Sequence, residues 1–257
     1  MGILNATPDS FFEGSRLINQ KAVDVAGKML EEGADILDIG GQSTRPGAIP
    51  VSASEEADRV LPVLENIAAS FSNVAISVDT FYCSVAKQAV IAGANMVNDI
   101  SAGDDDPEML PFIAQNNISY VAMHKKGNPQ TMQKNPEYKN VTETVIEYFR
   151  LKEELFQSLG INQWIIDPGF GFGKTIEHNF QLLREMQAFR TFGKPVLVGI
   201  SRKSMIWKTL QTTAENALNG TTALHMSALM NGADILRVHD VKEAKECVSL
   251  YQAVYGQ

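Results

Sequence analysis

Eight short apolar runs recur along the chain, each followed by a segment with helical periodicity. In order they are GILN (2–5), ILDIGG (36–41), AISVDT (75–80), MVNDIS (96–101), YVAMH (120–124), WIIDPG (164–169), VLVGIS (196–201) and ILRVHD (235–240). Runs of aliphatic residues without polar alternation read as strands buried on both faces. Eight such runs alternating with helices predict an α/β fold, a closed (β/α)8 TIM barrel. Active sites of that fold lie at the C-terminal strand ends. Asn5, Asp79, Asn98, His124, Asp167, Ser201 and His239 are therefore expected around one mouth.

The helices are equally patterned. Ala22, Val25, Ala26, Met29 and Leu30 make the i, i+3, i+4, i+7, i+8 stripe of a core-facing helix. Ser52 and Glu55 form a capping-box pattern ahead of a helix running to about Phe71. Long helices are expected over 143–159 and 177–189, shorter ones over 83–92 and 108–116, and two more over 217–231 and 241–255. Met226 and Met230 are expected in the core. Gly33-Ala34-Asp35, Gly93-Ala94-Asn95 and Gly232-Ala233-Asp234 each end a helix and lead into a strand, with Gly160-Ile161-Asn162 as a looser copy. Glycine there takes the left-handed conformation that stops the helix, so these are turns at the barrel bottom. Long connections at the other end, Asn5 to about Gln20, Gly41 to about Ala53 and His124 to about Val141, are expected to act as lids.

Bulk properties narrow the field. A length of 257 residues suits one barrel domain over 1–257. A net charge of −8 argues against nucleic acid as a partner, because phosphate binding needs a clustered basic surface. No apolar stretch approaches the ~18 residues of a membrane span. Cys83 and Cys247, the two cysteines, fall in helical segments and fit a reducing, cytoplasmic setting.

Several strand ends carry chemistry. Asp79 and Asp167 close apolar strands, and Asp99 follows Asn98. Each carboxylate either caps the next helix or bonds to loop amides, or else, together with Asn98, takes bonds from a planar hydrogen-bonding heterocycle. Ser201-Arg202-Lys203-Ser204 opens the helix after the seventh strand, where barrels commonly hold phosphate. Lys203 there either holds an anion or donates to a ring acceptor, while Arg202 is expected to face solvent. Arg237 and His239 alternate along the last strand and so share a face. The stretch from Pro168 to Thr175 nearly spells a P-loop, but Pro168 stands where glycine is needed and the setting is a barrel. It reads better as a tight turn admitting a ligand, with Phe172 against a flat ring.

Taken together, these motifs resemble the dihydropteroate synthase family of pterin-binding barrels over nearly the whole chain. The markers are Met1 to Phe11 (MGILNATPDSF), Asp38 to Gly47 (DIGGQSTRPG), Ser77 to Thr80 (SVDT), Val97 to Ile100 (VNDI), Asp167 to Lys174 (DPGFGFGK), Ser201 to Ser204 (SRKS) and Arg237 to Asp240 (RVHD). The resemblance implies condensation of 4-aminobenzoate with 6-hydroxymethyl-7,8-dihydropterin diphosphate, giving 7,8-dihydropteroate and pyrophosphate, with sulfonamides as inhibitors. It also implies roles. Asp79, Asn98, Asp167 and Lys203 would hold the pterin edge, Met123 and Phe172 would line its pocket, and Arg237 would stack along the ring. Asn5, Arg237 and His239 would hold the diphosphate, Asn5 together with Mg2+. Aminobenzoate would lie against Phe11, Thr44, Pro46, Lys203 and Ser204, with Asp9 and Arg45 ordering the loops. Lys203, Arg237, His239 and Asp167 are the catalytic candidates, and a homodimer through late helices is implied.

Three departures from the family pattern stand out. The chain starts inside the first strand, where members usually carry an N-terminal extension closing the barrel bottom. Loop one reads Phe11-Phe12-Glu13-Gly14-Ser15 in place of a Ser-Asp-Gly-Gly stretch, and Lys125 and Lys126 replace commoner apolar or amide residues. Two rival readings share the pterin contacts. A methyltetrahydrofolate-dependent methyltransferase would not need the Ser-Thr-Arg-Pro, Ser-Arg-Lys-Ser and Arg-Val-His-Asp motifs, and a catalytically silent pterin-binding barrel would not need Asn5, Arg237 and His239.

Overall fold

The computed structural model of the chain describes residues 1–6, 15–42, 51–127, 132 and 136–256, with the backbone alone for 15–19. Eight parallel strands form a barrel: β1 (Gly2–Asn5), β2 (Ile36–Gly40), β3 (Ala75–Asp79), β4 (Met96–Asp99), β5 (Ser119–Met123), β6 (Trp164–Asp167), β7 (Leu197–Val198) and β8 (Ile235–Leu236). The first six make one ladder in chain order and the last two a second ladder. Bridges from Ile166 to Val196 and from Gly2 to Val238 join the two and close the ring. The last seam is held by Ile3 N–H donating to Val238 O at 2.9 Å and Val238 N–H donating to Met1 O at 2.9 Å.

Around the ring, among the described residues, run α1 (Ser15–Glu31), α2 (Ala53–Ser70), α3 (Cys83–Ile91), α4 (Met109–Asn116), α5 (Val141–Leu159), α6 (Ile176–Arg184), α7 (Ser204–Thr209), α8 (Leu218–Met230) and α9 (Val241–Tyr255). The patterning sorts the apolar residues into two cores. Met1, Met96, Val121, Ile165 and Leu197, with Ile36 and Ile235 beside them, fill the barrel interior. Alternate strand residues such as Leu4, Leu37, Ile39, Val78, Val97 and Ile166 point outward and pack beneath the helices. This two-sided burial is why the strands read as continuous apolar runs. The barrel floor is thereby plugged with side chains, and only the upper end of each inward row is left for polar residues.

Several expectations need adjustment. The strands expected over 196–201 and 235–240 pair with each other as ladders only at 197–198 and 235–236, with single bridges from Val196 to Ile166 and from Val238 to Gly2 beyond them. The helix expected over 177–189 stops at Arg184, where Glu185 leaves helical geometry, and a 3-10 turn spans Met186–Phe192. The first connection is shorter than expected because α1 begins at Ser15. Ser52 does cap α2, accepting from Glu55 N–H at 3.2 Å. Gly33, Gly93, Gly160 and Gly232 all have φ between +77° and +119°, so all four turns are as expected. Met230 is half exposed and Met226 partly so. Helix α8 buries Thr221, His225, Ala228 and Leu229 instead, because its apolar residues surround the axis and only one side meets the barrel. Cys83 and Cys247 are buried and unpaired.

His225 is the least comfortable core residue. Both ring nitrogens are buried without a hydrogen-bond partner, and burial, only partly opposed by Asp240, lowers its pKa to about 4. A histidine whose folded pKa is below its unfolded value of 6.5 costs stability as pH falls from 6.5 through 4, because the unfolded chain binds the proton first. His225→Leu is expected to remove up to about 3 kcal/mol of that acid sensitivity. Urea titrations of both proteins at neutral pH and near pH 4 would check this; equal acid losses in the two would refute it.

Candidate active site

Parallel register carries inward-facing side chains to a common height. Gly40 pairs with Asp79, and Asp79 in turn with Asn98. Farther round, Met123 pairs with Asp167, whose carbonyl accepts from His124 N–H at 3.1 Å. Arg237 follows β8 and reaches across the mouth. Its Nε donates to Asp38 Oδ2 and its Nη2 to Asp79 Oδ2, both at 2.6 Å. Asn98 Nδ2 donates to the same Asp38 oxygen at 3.0 Å. A carboxylate partner fixes the Asn98 amide orientation, because only its nitrogen can donate. The Asn98 carbonyl oxygen is left as the acceptor.

The energetics follow from burial. Two acids and one arginine out of water would be costly singly, and the fork geometry of the guanidinium lets it bond both acids at once, although Asp38 Oδ1 stays buried without a partner. Burial still pushes Asp79 up to about 7; Arg237 opposes the rise, while Asp38, Asp99 and Asp167 add to it. Burial lowers Arg237, but Asp38 and Asp79 outweigh it and hold the guanidinium above its ordinary value. The mouth is thus charged yet short of protons, a state in which an added hydrogen-bond donor is well received.

The opposite wall is built by the glycine-rich turn after β6. Asp167 Oδ1 accepts from Gly169 N–H at 2.8 Å, and the turn closes with Phe172 N–H donating to Gly169 O at 3.1 Å. Gly169, Gly171 and Gly173 have φ between +66° and +82°, and a Cβ on Gly169 would lie 1.9 Å from His124 O. The tight-turn reading of the near P-loop therefore holds. Lys203 Nζ donates to Phe170 O and lies 4.8 Å from the Phe172 ring centre. Burial lowers Lys203 to about 8, with Asp167 pulling the other way. Burial likewise raises Asp167, against Lys203. Met123 is buried beside this wall.

At the seam, His239 N–H donates to Ser201 Oγ at 3.2 Å, and Ser201 Oγ lies 3.1 Å from His239 Nδ1. The Gly2–Val238 bridge sets the first residue of β1 beside the residue before His239, so the strand that ends in Asn5 adjoins the segment that carries His239. Ser204 is exposed at the start of α7. Arg237 bonds the carboxylates of Asp38 and Asp79, and His239 bonds Ser201. Asp9, Phe11, Thr44, Arg45 and Pro46 lie outside the described residues.

Sequence reasoning went astray at three residues, Asp38, Arg202 and Glu56. Asp38 is fully buried and anchors the network, yet it sits mid-strand; its position two residues before Gly40, on the inward face, was the available signal. Arg202 was expected in solvent, but it pairs with Asp240 through two 2.8 Å bonds and donates to Ala214 O and Glu215 O, staking down the segment after α7. Asp99 bonds to loop amides, one of the alternatives open to it, accepting from Ser101 N–H, Gly103 N–H and the Tyr120 hydroxyl. Glu56, on the first turn of α2, is wholly buried and raised to about 8, mainly by burial and then by Asp79.

Comparison with known proteins matches residues 1–239 to the pterin binding enzyme family. Dihydropteroate synthase of Escherichia coli strain K12 is 44% identical over 98% of this chain and 90% of its own length. The solved structure of Yersinia pestis dihydropteroate synthase with a sulfonamide drug covers all of this chain and 94% of its own, at 40% identity and a TM-score of 0.93. Xanthomonas albilineans dihydropteroate synthase with 4-aminobenzoic acid covers all of this chain and 93% of its own, at 39% identity and a TM-score of 0.92.

The network makes a stability claim of its own. Arg237→Met would strand Asp38 and Asp79 without a counter-charge and should cost about 3–5 kcal/mol. Urea unfolding at neutral pH measures it, and a loss below about 1 kcal/mol would mean that water already solvates the two acids.

Proposed function

We propose the following reaction, because the chain belongs to the pterin-binding enzyme family and, within it, to the dihydropteroate synthases: 4-aminobenzoate and 6-hydroxymethyl-7,8-dihydropterin diphosphate condense to 7,8-dihydropteroate and pyrophosphate. The protein is a transferase of folate biosynthesis and a sulfonamide target. The observation that carries the residue assignment is the meeting of Asp79, Asn98, Asp167 and Lys203 at the barrel mouth, where Asp79 pairs with Asn98 and Lys203 faces both carboxylates. The two carboxylates accept from the pterin's amidine-like edge, while Asn98 and Lys203 complement its remaining donors and acceptors. Met123 and Phe172 flank the ring, and Arg237 lies along it.

The diphosphate end falls to Asn5, Arg237 and His239. Breaking the C–O bond leaves a cation on the pterin methylene and negative charge on pyrophosphate. Arg237 and His239 stabilise the departing charge, and Asp167 favours the positive ring; charge stabilisation of this kind is usually the largest catalytic contribution. The aminobenzoate nitrogen then attacks the methylene and gives up a proton, so the chain supplies no covalent nucleophile. Lys203 and Ser204 are assigned to the aminobenzoate position; Phe11, Thr44, Pro46, Asp9 and Arg45, which the resemblance assigns to it as well, lie outside the described residues.

Mg2+ fits this site as an ion carried with the diphosphate. Among the described residues no three His, Cys, Asp or Glu side chains gather to hold a metal by themselves. The Asn5 amide is a hard oxygen donor suited to one position of an ion that keeps its remaining bonds to phosphate and water. When bound, Mg2+ supplies further neutralisation of the leaving group. A homodimer through α8 is proposed from its exposed Met230 and half-buried Met226, and a cytoplasmic location from the two unpaired buried cysteines.

The test is an assay with Mg2+, aminobenzoate and the dihydropterin diphosphate, reading dihydropteroate by mass and pyrophosphate by a coupled reaction. Equal amounts of both products are expected, and a sulfonamide should compete with aminobenzoate. Lys203→Ala and Arg237→Ala should each lower kcat/KM by about 10²–10³-fold. Pterin affinity should weaken as pH rises through about 8, where Lys203 gives up its proton. Binding of the pterin diphosphate without product would favour the silent barrel, and no binding by folded protein would sink the site assignment.

A further inference from the structure

Lys174, the last basic residue of the near P-loop, is 98% shielded from solvent and has no part in the chemistry above. Its Nζ lies 2.9 Å from His124 Nδ1, 2.9 Å from Gly169 O, 3.2 Å from Phe172 O and 3.3 Å from His124 O. An ammonium only donates, so His124 accepts at Nδ1 and carries its proton on Nε2. Burial and then Lys174 lower His124 to about 2, which locks the ring as a neutral acceptor. Tyr148 packs edge-on against that ring at 5.0 Å. All four acceptors belong to the end of β5 or the turn after β6, the turn that carries Asp167 and Phe172.

We propose that Lys174 is a positioning residue for the pterin pocket: its ammonium clasps the end of β5 to the turn after β6 and, together with Lys203, holds Asp167 as the carboxylate that takes the pterin edge. The inference rests on the assignment of Asp167 to the pterin made above. Three cations face Asp167: Lys203 from the start of α7, Arg237 from the end of β8, and Lys174 from its own turn. Asp79, on β3, faces it as a like charge. Lys174 itself is lowered to about 7 by burial, while Asp167 pulls it up and Lys203 pushes it down. Lys126 is the further cation near His124. Lys203 also donates to this turn, at Phe170 O; Lys174 differs in bonding the turn at Gly169 O and Phe172 O and the end of β5 at His124 together. A backbone-only role would need donors but no charge; an electrostatic role needs both.

The experiment uses 6-hydroxymethylpterin as probe, with affinity measured by calorimetry between about pH 5 and pH 9, on wild type, Lys174→Met, Lys174→Gln, His124→Leu and Asp167→Asn. Steady-state KM for each substrate and thermal melting accompany it. Lys174→Met and Lys174→Gln should both weaken pterin binding at neutral pH by roughly 10–100-fold and move the acid limb of affinity to higher pH. KM for aminobenzoate should hardly change. His124→Leu keeps the charge, so it should lower the melting point but leave the acid limb in place. Glutamine retains a donor, so that variant reports on charge even if the methionine variant fails to fold. Wild-type pterin affinity and pH profile in Lys174→Gln would overturn the proposal, as would equal losses for both substrates. Undiminished binding by Asp167→Asn would instead overturn the Asp167 assignment on which it rests.

Discussion

One guanidinium organises the mouth of this barrel. Arg237 comes from the last strand and spans to Asp38 and Asp79 on the second and third, crossing the seam where the first and last strands meet. The backbone ladder there is thin, with β8 only two residues long. The ion network therefore reinforces closure at the level where the ladder gives out. The same residues present the pterin site, so fold closure and binding geometry depend on one set of charges. Buried acids that would be ruinous without a partner become preorganised acceptors with one.

The two walls of the mouth are held by different physics. On the Asp38–Asp79–Asn98 side, side chains grip one another. On the Asp167 side, backbone does the holding: glycines at positive φ let three carbonyls and a histidine crowd around the Lys174 ammonium. The close approach at Gly169, where a Cβ would meet His124 O at 1.9 Å, shows how little slack the second wall has. Both walls draw counter-charge from the centre, through Arg237 and Lys203.

Most of this architecture could be read from the chain. Doubly buried strands announce themselves as aliphatic runs, and the Gly-Ala-Asp turns mark where each helix ends, so strand order and the height of Asp79, Asn98 and Asp167 followed directly. What escaped were residues whose meaning depends on partners far along the chain. Asp38 looks like an interruption of a strand until Arg237, 199 residues later, is placed beside it. Arg202 looks like a surface cation until Asp240 closes on it, and Met230 looks like core until the one buried side of α8 is known. Lys174 was masked by a motif it only resembles. Hydrophobic periodicity reports each residue's local face; pairing of buried charges is set by the closed ring, which no local pattern contains.

Closure at the seam also sets the order in which a working site can arise. The first strand must wait for residues 235–239 before its outer edge is paired, and that contact has nearly the greatest sequence separation the molecule offers. Long-range contacts of this kind form late because their loop entropy must be overcome first. During synthesis, a chain stopped short of β8 holds Asp38 and Asp79 facing each other with no cation between them. Such a nascent barrel is repelled from its own native shape at the mouth, so assembly and competence to bind arrive together, once β8 and Arg237 are in place.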